Sequence, residues 1–181
     1  MRGWTVDWRI DPSKTGVLIV DLQERLLPVI HDGPRIVKKA QDLLAIAKIF
    51  SLPVLITEQV PEKLGPTCEA LRPFLDGCQV RSKFDFSCAG MLPADFPKTI
   101  LVAGVETHVC VRQTVYDLRV AGKVPYVLAD AVGSRHPLDH ELALGEMRRD
   151  EVLVTSLEAV AWELVRSAKG PHFSKVLAIL K

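Results

Sequence analysis

The chain has 181 residues, 48% of them hydrophobic and 25% charged, a composition typical of globular proteins that excludes disordered and fibrous classes. Its 23 basic and 22 acidic side chains are mixed along the sequence, so there is no basic surface to attract nucleic acid, and no nucleic-acid partner is expected. No apolar run could span a bilayer, and the first residues lack the apolar core of a signal peptide. We therefore predict a cytoplasmic protein with no membrane partner.

The length suits one domain over residues 1–181, with a single sheet covered by helices on both faces. We expect a polar N-terminal arm over 1–14 and a short amphipathic tail helix over 171–181, which could pack on its own core or on a neighbouring subunit. The cysteines are too sparse for a disulfide framework and form no C-x-x-C pair, so reduced thiols are the default.

The first half of the chain predicts three strands and one long helix. Apolar runs with the length of buried parallel strands cover residues 15–21 and 52–57, and residues 78–83 are predicted as a third strand. Between the first two, apolar residues recur at helical spacing after Asp32, Gly33 and Pro34, which predicts a helix. The stretch 58–77 is rich in Pro and Gly and predicts a long loop, of the kind that often lines a site.

The second half predicts three further strands, at residues 98–104, 124–129 and 151–155. A helix with Thr107 as its N-cap follows the fourth strand, and Pro137 opens another that runs to about Arg149. Thr155 and Glu158 have the spacing of a capping box ahead of a third helix.

Strands and helices alternate, a pattern that predicts a three-layer α/β/α sandwich around a doubly wound parallel six-stranded sheet. In the common strand order 3-2-1-4-5-6, the first and fourth strands are neighbours, and their carboxyl ends bound a crevice. Asp21 ends the first strand, and Cys110 follows the fourth by one tight turn. The topology therefore predicts that this acid and this thiol share one cleft.

A cysteine nucleophile needs a lowered pKa, because a free thiol with a pKa near ~8.5 is only slightly ionised at neutral pH. A helix N-terminus alone is too weak, so a cation must contribute, and Lys83 at the end of the third strand is the candidate. Asp21 suits the role of proton acceptor and donor, and amides near Glu106 and Cys110 could stabilise an oxyanion. Each residue could instead have a purely structural role. Asp21 could cap the following loop, Lys83 could be solvated, and Cys110 could pack in the core.

The histidines offer weaker alternatives. His136, Asp139 and His140 could ligate zinc, but they lie at a helix start, where polar residues usually cap the helix or face water. His108 is two residues from Cys110 on a helix, which points the two side chains apart. We predict no metal and no cofactor.

Four segments resemble the isochorismatase-like cysteine hydrolase superfamily, and most closely its isochorismatase-domain-containing branch. They are "VLIVDLQERL", "RSKFDFS", "VAGVETHVCVRQT" and "VLADAVGSR". The resemblance implies an Asp-Lys-Cys triad, here Asp21, Lys83 and Cys110. It also implies a cis peptide bond before Glu106, so that the Glu106 and Cys110 amides form an oxyanion hole.

By the same resemblance, Gln23, Phe86 and Val105 are candidates for the substrate pocket. Nicotinamidases carry metal-binding histidines after the second strand, whereas this chain has "TEQVPEKLG" there, so a metal beside the triad is not expected. Isochorismatase itself lacks the cysteine, so Cys110 favours covalent chemistry. Family members commonly associate, which implies a homo-oligomer.

These features predict a hydrolase that cleaves a small amide or related acyl substrate through a thioester on Cys110. The sequence does not specify which small molecule is the substrate. One alternative is an isochorismatase-type vinyl-ether hydrolase with Asp21 as the acid. Another is a catalytically silent oligomeric protein that binds partners through its surface.

Overall fold

The computed structural model describes residues 9–181, so most of the predicted arm over 1–14 lies outside the described residues. The described chain forms one sheet of six strands: β1 (Thr15–Val20), β2 (Val54–Gln59), β3 (Gln79–Lys83), β4 (Thr99–Val105), β5 (Val124–Gly133) and β6 (Leu153–Thr155). The α-helices are α1 (Gly33–Phe50), α2 (Pro61–Leu64), α3 (Arg112–Val120), α4 (Pro137–Arg149), α5 (Leu157–Val165) and α6 (Phe173–Leu180).

All strand pairs are parallel, and the strand order is β3-β2-β1-β4-β5-β6, which confirms the predicted topology. Helices α1, α5 and α6 pack on one face of the sheet and α3 and α4 on the other, giving the three-layer sandwich. Strand β1 is buried on both faces, because Val17 and Ile19 enter the first core while Leu18 and Val20 enter the second. Its carboxyl end is therefore held rigidly in the middle of the sheet.

The chain after β4 differs from the prediction. Thr107 does not cap a helix, because its hydroxyl pairs with Nδ1 of His140 at 2.9 Å. A π-helical turn over Thr107–Val111 comes first, and regular α-helix begins only at Arg112. A tertiary partner on α4 thus overrides the local capping preference.

Two further boundaries differ. Strand β5 continues four residues past the predicted end at residue 129, since after a register shift it pairs with β4 up to Gly133. The N-cap of α5 is Ser156 rather than Thr155, and its hydroxyl accepts from the Ala159 amide at 3.3 Å. Asp130, from the "VLADAVGSR" segment, accepts from the Leu157 amide at 2.8 Å and so fixes the start of α5 to β5.

Strands β1 and β4 are neighbours up to their carboxyl ends, where Val20 pairs with Gly104. Gly104 has a φ of 121°, and a Cβ atom built there would lie 2.0 Å from the Val20 carbonyl oxygen. Only glycine fits this position.

Within residues 9–181, no helix has the length and apolar character needed to cross a membrane.

Candidate active site

Asp21 lies at the carboxyl end of β1 in the left-handed backbone region, with a φ of 52°. Its side chain is fully buried. Thr57 of β2 holds it twice: the Asp21 amide donates to the Thr57 carbonyl at 3.1 Å, and the Thr57 hydroxyl donates to Asp21 Oδ1 at 2.7 Å. The carboxylate therefore has one oxygen fixed by a neutral donor and the other, Oδ2, turned to the rest of the site.

Lys83 ends β3 and is the buried residue of an otherwise exposed edge strand. Its Nζ lies 2.7 Å from Asp21 Oδ2 in a buried ion pair, and among residues 9–181 no hydrogen bond of normal geometry ends on that oxygen. The ammonium also donates to Gln59 Oε1 at 2.5 Å and to the carbonyls of Asp85 and Phe86 at 3.2 and 3.1 Å. These three acceptors match the three hydrogens of the ammonium, and Asp21 Oδ2 is held to it by charge.

Two glutamines tie the strand ends to the loops around the site. Gln59 ends β2 directly beside Lys83 in the parallel register. Its amide group donates to the Phe84 carbonyl at 2.6 Å, and its backbone N–H donates to Gln23 Oε1 at 2.8 Å. The Gln23 amide group donates in turn to the carbonyls of Gln59 and Gly65, at 3.1 and 2.7 Å.

Cys110 lies in the π-helical turn after β4 and is nearly buried, with 7% of the residue exposed. In a regular α-helix its amide would donate to the Glu106 carbonyl. Here the amides of Val109 and Val111 donate to that carbonyl instead, both at 3.1 Å. The wider turn thus takes the usual acceptor away from the Cys110 amide.

The peptide bond between Val105 and Glu106 is cis, as the resemblance implied. The Glu106 carboxylate is buried and is held by Arg135, whose backbone N–H donates to it at 2.8 Å and whose Nε lies 3.1 Å away. This fixes the turn that leads from β4 to Cys110 against the end of β5.

Burial raises the pKa of the Cys110 thiol to about 12; the negative charge of Asp21 also raises it, and the charge of Lys83 lowers it. The prediction of a lowered pKa is therefore wrong for the free protein. The cation is present, but it is already paired with Asp21, and burial penalises the thiolate more than Lys83 can offset. The resting form of Cys110 is the neutral thiol.

This protonation state predicts slow alkylation at ordinary pH. In the free protein, the rate at which iodoacetamide modifies Cys110 should keep rising up to pH 10 without a plateau, because the thiolate fraction is still growing there. Free cysteine, with a pKa near ~8.5, serves as the control in the same tube and should level off by then. Peptide mass spectrometry follows the modification of Cys110, and a plateau for this residue below pH 8 would contradict the raised pKa.

The three residues suggested for the pocket have different surroundings. Phe86 is half exposed, and its backbone carbonyl faces Lys83. Val105 is fully buried in the core beneath α1, on the face of the sheet away from Cys110, so its side chain does not line a cleft beside the thiol. Gln23 is also fully buried, and its amide group is used in holding Gln59 and Gly65.

The histidines around the site are engaged in structural contacts. His108 Nδ1 pairs with the Ser134 hydroxyl at 3.0 Å, and His140 pairs with Thr107. Burial lowers the pKa of His140, and the charge of Arg35 adds to this effect. Within the described range, no group of three or more His, Cys, Asp or Glu side chains is arranged to hold a metal ion.

A surface groove of about 790 Å³ lies elsewhere, between α1, α6 and the loop before β3. It shares no residue with the cluster of Asp21, Lys83 and Cys110. We therefore locate the candidate site at the carboxyl edge of the sheet and not in this groove.

Comparison with known proteins agrees with this geometry. The family model described as the isochorismatase domain matches residues 15–159, which include Asp21, Lys83 and Cys110. The chain belongs to the isochorismatase family. Family membership supports a hydrolase fold.

Several members of the isochorismatase family are similar over nearly the whole chain. Isochorismatase domain-containing protein 2A of Mus musculus is 34% identical, covering 96% of this chain and 85% of the mouse protein. The structure of MAR1 ribonuclease from Caenorhabditis elegans is 32% identical with a TM-score of 0.90, covering 95% of this chain and 92% of that one. The YcaC gene product of Escherichia coli, an octameric hydrolase of unknown specificity, is 25% identical with a TM-score of 0.84, covering 96% and 89%.

Proposed function

We propose that the protein is a cysteine-dependent hydrolase of a small amide or a related acyl compound. The observation that carries this proposal is the buried ion pair of Asp21 and Lys83, whose charges both act on the Cys110 thiol. A buried ion pair is a poor source of stability, because desolvation offsets much of its attraction. Its position beside a buried thiol at the sheet edge instead favours proton transfer as its role.

Asp21 takes the thiol proton as the substrate is attacked. Its Oδ2 is the suitable acceptor, since Oδ1 is already occupied by the Thr57 hydroxyl. The sulfur forms a bond to the acyl carbon, and the carbonyl electron pair moves onto oxygen. Lys83, relieved of its carboxylate partner, now faces the developing charge at sulfur, while the amides of Glu106 and Cys110 stabilise the oxyanion.

Protonated Asp21 then donates to the leaving nitrogen, the C–N bond breaks, and an amine departs. The acyl group remains on Cys110 as a thioester. Asp21, again a carboxylate, takes a proton from water, whose oxygen attacks the thioester and releases a carboxylic acid and the free thiol. The thiolate forms only transiently, when Asp21 takes its proton beside the bound substrate, and it attacks at once, so a resting thiol of high pKa is compatible with turnover.

The substrate class is tested by incubating the protein with a library of small amides and esters and searching for acyl adducts on the Cys110 peptide by mass spectrometry. We expect the mass of the Cys110 peptide to increase by one acyl group. The matched control, Cys110→Ala, should show no such increase. Isochorismate and RNA are included, since the family name and the name of the C. elegans relative point to them. Turnover of isochorismate by the Cys110→Ala variant would favour vinyl-ether hydrolysis with Asp21 as the acid.

We propose further that the chain acts as one domain and assembles with copies of itself, by analogy with the octameric E. coli relative. Helix α4 offers an apolar pair one turn apart, Leu138 and Leu142, that are 64% and 59% exposed. The four free cysteines suit a reducing compartment such as the cytoplasm. Light scattering coupled to size-exclusion chromatography tests the assembly, and a monomer at micromolar concentration would contradict it.

A further inference from the structure

The side-chain amide of Gln59 has a fixed orientation. Its Nε2 donates to the Phe84 carbonyl at 2.6 Å, so its oxygen must face the Lys83 ammonium, 2.5 Å away. Gln23 holds the backbone of the same residue from the other side, through both its N–H and its carbonyl. With the residue 8% exposed, rotation of the amide would turn its NH₂ group towards the Lys83 ammonium and its oxygen towards the Phe84 carbonyl, leaving both buried contacts unfavourable.

This orientation matters because of what happens to the charges during proton transfer. Before transfer, Lys83 neutralises the Asp21 carboxylate; afterwards Asp21 is neutral and the negative charge is on the Cys110 sulfur. The Lys83 ammonium must remain in place while its counterion changes from Asp21 to Cys110, although its ion pair with Asp21 has just been lost. The acceptors that persist through this step are Gln59 Oε1 and two loop carbonyls at longer distances, those of Asp85 and Phe86.

We propose that Gln59 is a positioning residue, which holds the Lys83 ammonium between Asp21 and Cys110 so that one cation serves first the carboxylate and then the thiolate. This inference rests on the proposed function. It also gives a reason for glutamine at this position, since the side chain must accept from an ammonium without adding charge. A carboxylate here would compete with the sulfur for Lys83 and would face the Phe84 carbonyl unfavourably.

Gln23 supplies a matched control within the same network. It is a buried amide that makes three hydrogen bonds, two of them to Gln59, but none to Lys83. Replacing either glutamine with methionine removes an amide of similar size from the same region. If Gln59 had only a structural role, Gln59→Met and Gln23→Met should change the rate of Cys110 modification to a similar degree.

The test compares Gln59→Met, Gln59→Glu and Gln23→Met with the unmodified protein, by iodoacetamide modification of Cys110 at pH 9 and by kinetics on an amide identified from the library. We expect Gln59→Glu to slow modification about tenfold, equivalent to one pKa unit, and Gln59→Met about threefold. Both should lower kcat by more than about tenfold while KM changes little. Gln23→Met loosens the backbone of Gln59 but leaves its side chain bonded to Phe84 and Lys83, so the rate of modification should stay within a factor of about two of the unmodified protein.

Equal modification rates in all four proteins, or the same decrease in Gln23→Met as in Gln59→Met, would overturn the proposal. The modification experiment needs no substrate, so it separates this inference from the proposed function. If no amide or ester acylates Cys110 while the Gln59 variants still differ from Gln23→Met, the positioning role stands and the assigned chemistry fails. If acyl adducts form but neither Gln59 substitution changes the rate of Cys110 modification, the proposed function stands and the positioning role of Gln59 fails.

Discussion

Cys110→Ala should abolish hydrolysis of any amide or ester that acylates this protein, with kcat/KM falling by about 10⁴-fold or more, as expected when a covalent nucleophile is removed. Asp21 and Lys83 remain in place, but no group is left at that position to carry the acyl chain. The fold should survive, because removing one sulfur atom from a nearly buried site costs on the order of 1 kcal/mol. Steady-state kinetics and thermal unfolding measured on the same preparation check both parts.

Cys68→Ala is the control, since Cys68 is buried to a similar degree, 8% against 7% exposed, but packs in the core on the other face of the sheet. It should lose a comparable amount of stability and keep its activity. Wild-type turnover in Cys110→Ala would refute the covalent mechanism. Loss of activity in both variants to the same degree would mean that the activity is sensitive to packing and not to the nucleophile.

Lys83→Met is expected to destabilise the folded protein by about 3–5 kcal/mol at neutral pH, the usual result of removing one partner of a buried ion pair. The Asp21 carboxylate would be left fully buried, with the Thr57 hydroxyl and no countercharge. The free energy of unfolding, from denaturant titrations, measures the loss. Activity should disappear as well, because nothing would stabilise the thiolate formed on proton transfer.

A double variant identifies the cause. Adding Asp21→Asn to Lys83→Met should recover much of the lost stability at pH 7, since neither residue is then charged. A loss of stability that is unchanged in the double variant would show that packing by the lysine stem and not charge is responsible.

The sheet was predictable because its central strands β1, β2, β4 and β5 contain buried apolar runs and helical patterns lie between most of the strands. Pro137 opens α4 and Arg149 ends it, as local signals required. The errors fell where a tertiary contact outweighed a local preference: Thr107 pairs with His140 on another helix, and β5 follows β4 beyond the point where its own apolar run stops. Spacing along the chain carries no information about such partners.

The site was predicted in part. The strand order brings Asp21 and the turn of Cys110 to neighbouring strand ends, and Lys83 reaches them from the edge strand. Thr57 and Gln59 were not predicted as site residues. Their roles depend on the register between β2 and its neighbours, which the sequence leaves open. The raised pKa of Cys110 was missed for a related reason, since the sequence shows charges but not burial.

The fit of β4 against β1 at Gly104 has a consequence for how the family can diversify. The strand that ends at Asp21 and the strand that leads to Cys110 meet at a seam where no methyl group fits, so a larger residue there would displace both side chains. The loops around the cleft lie outside this seam and can change for new substrates. Under the proposed function, chemistry is therefore built into the centre of the sheet, and specificity is left to the periphery.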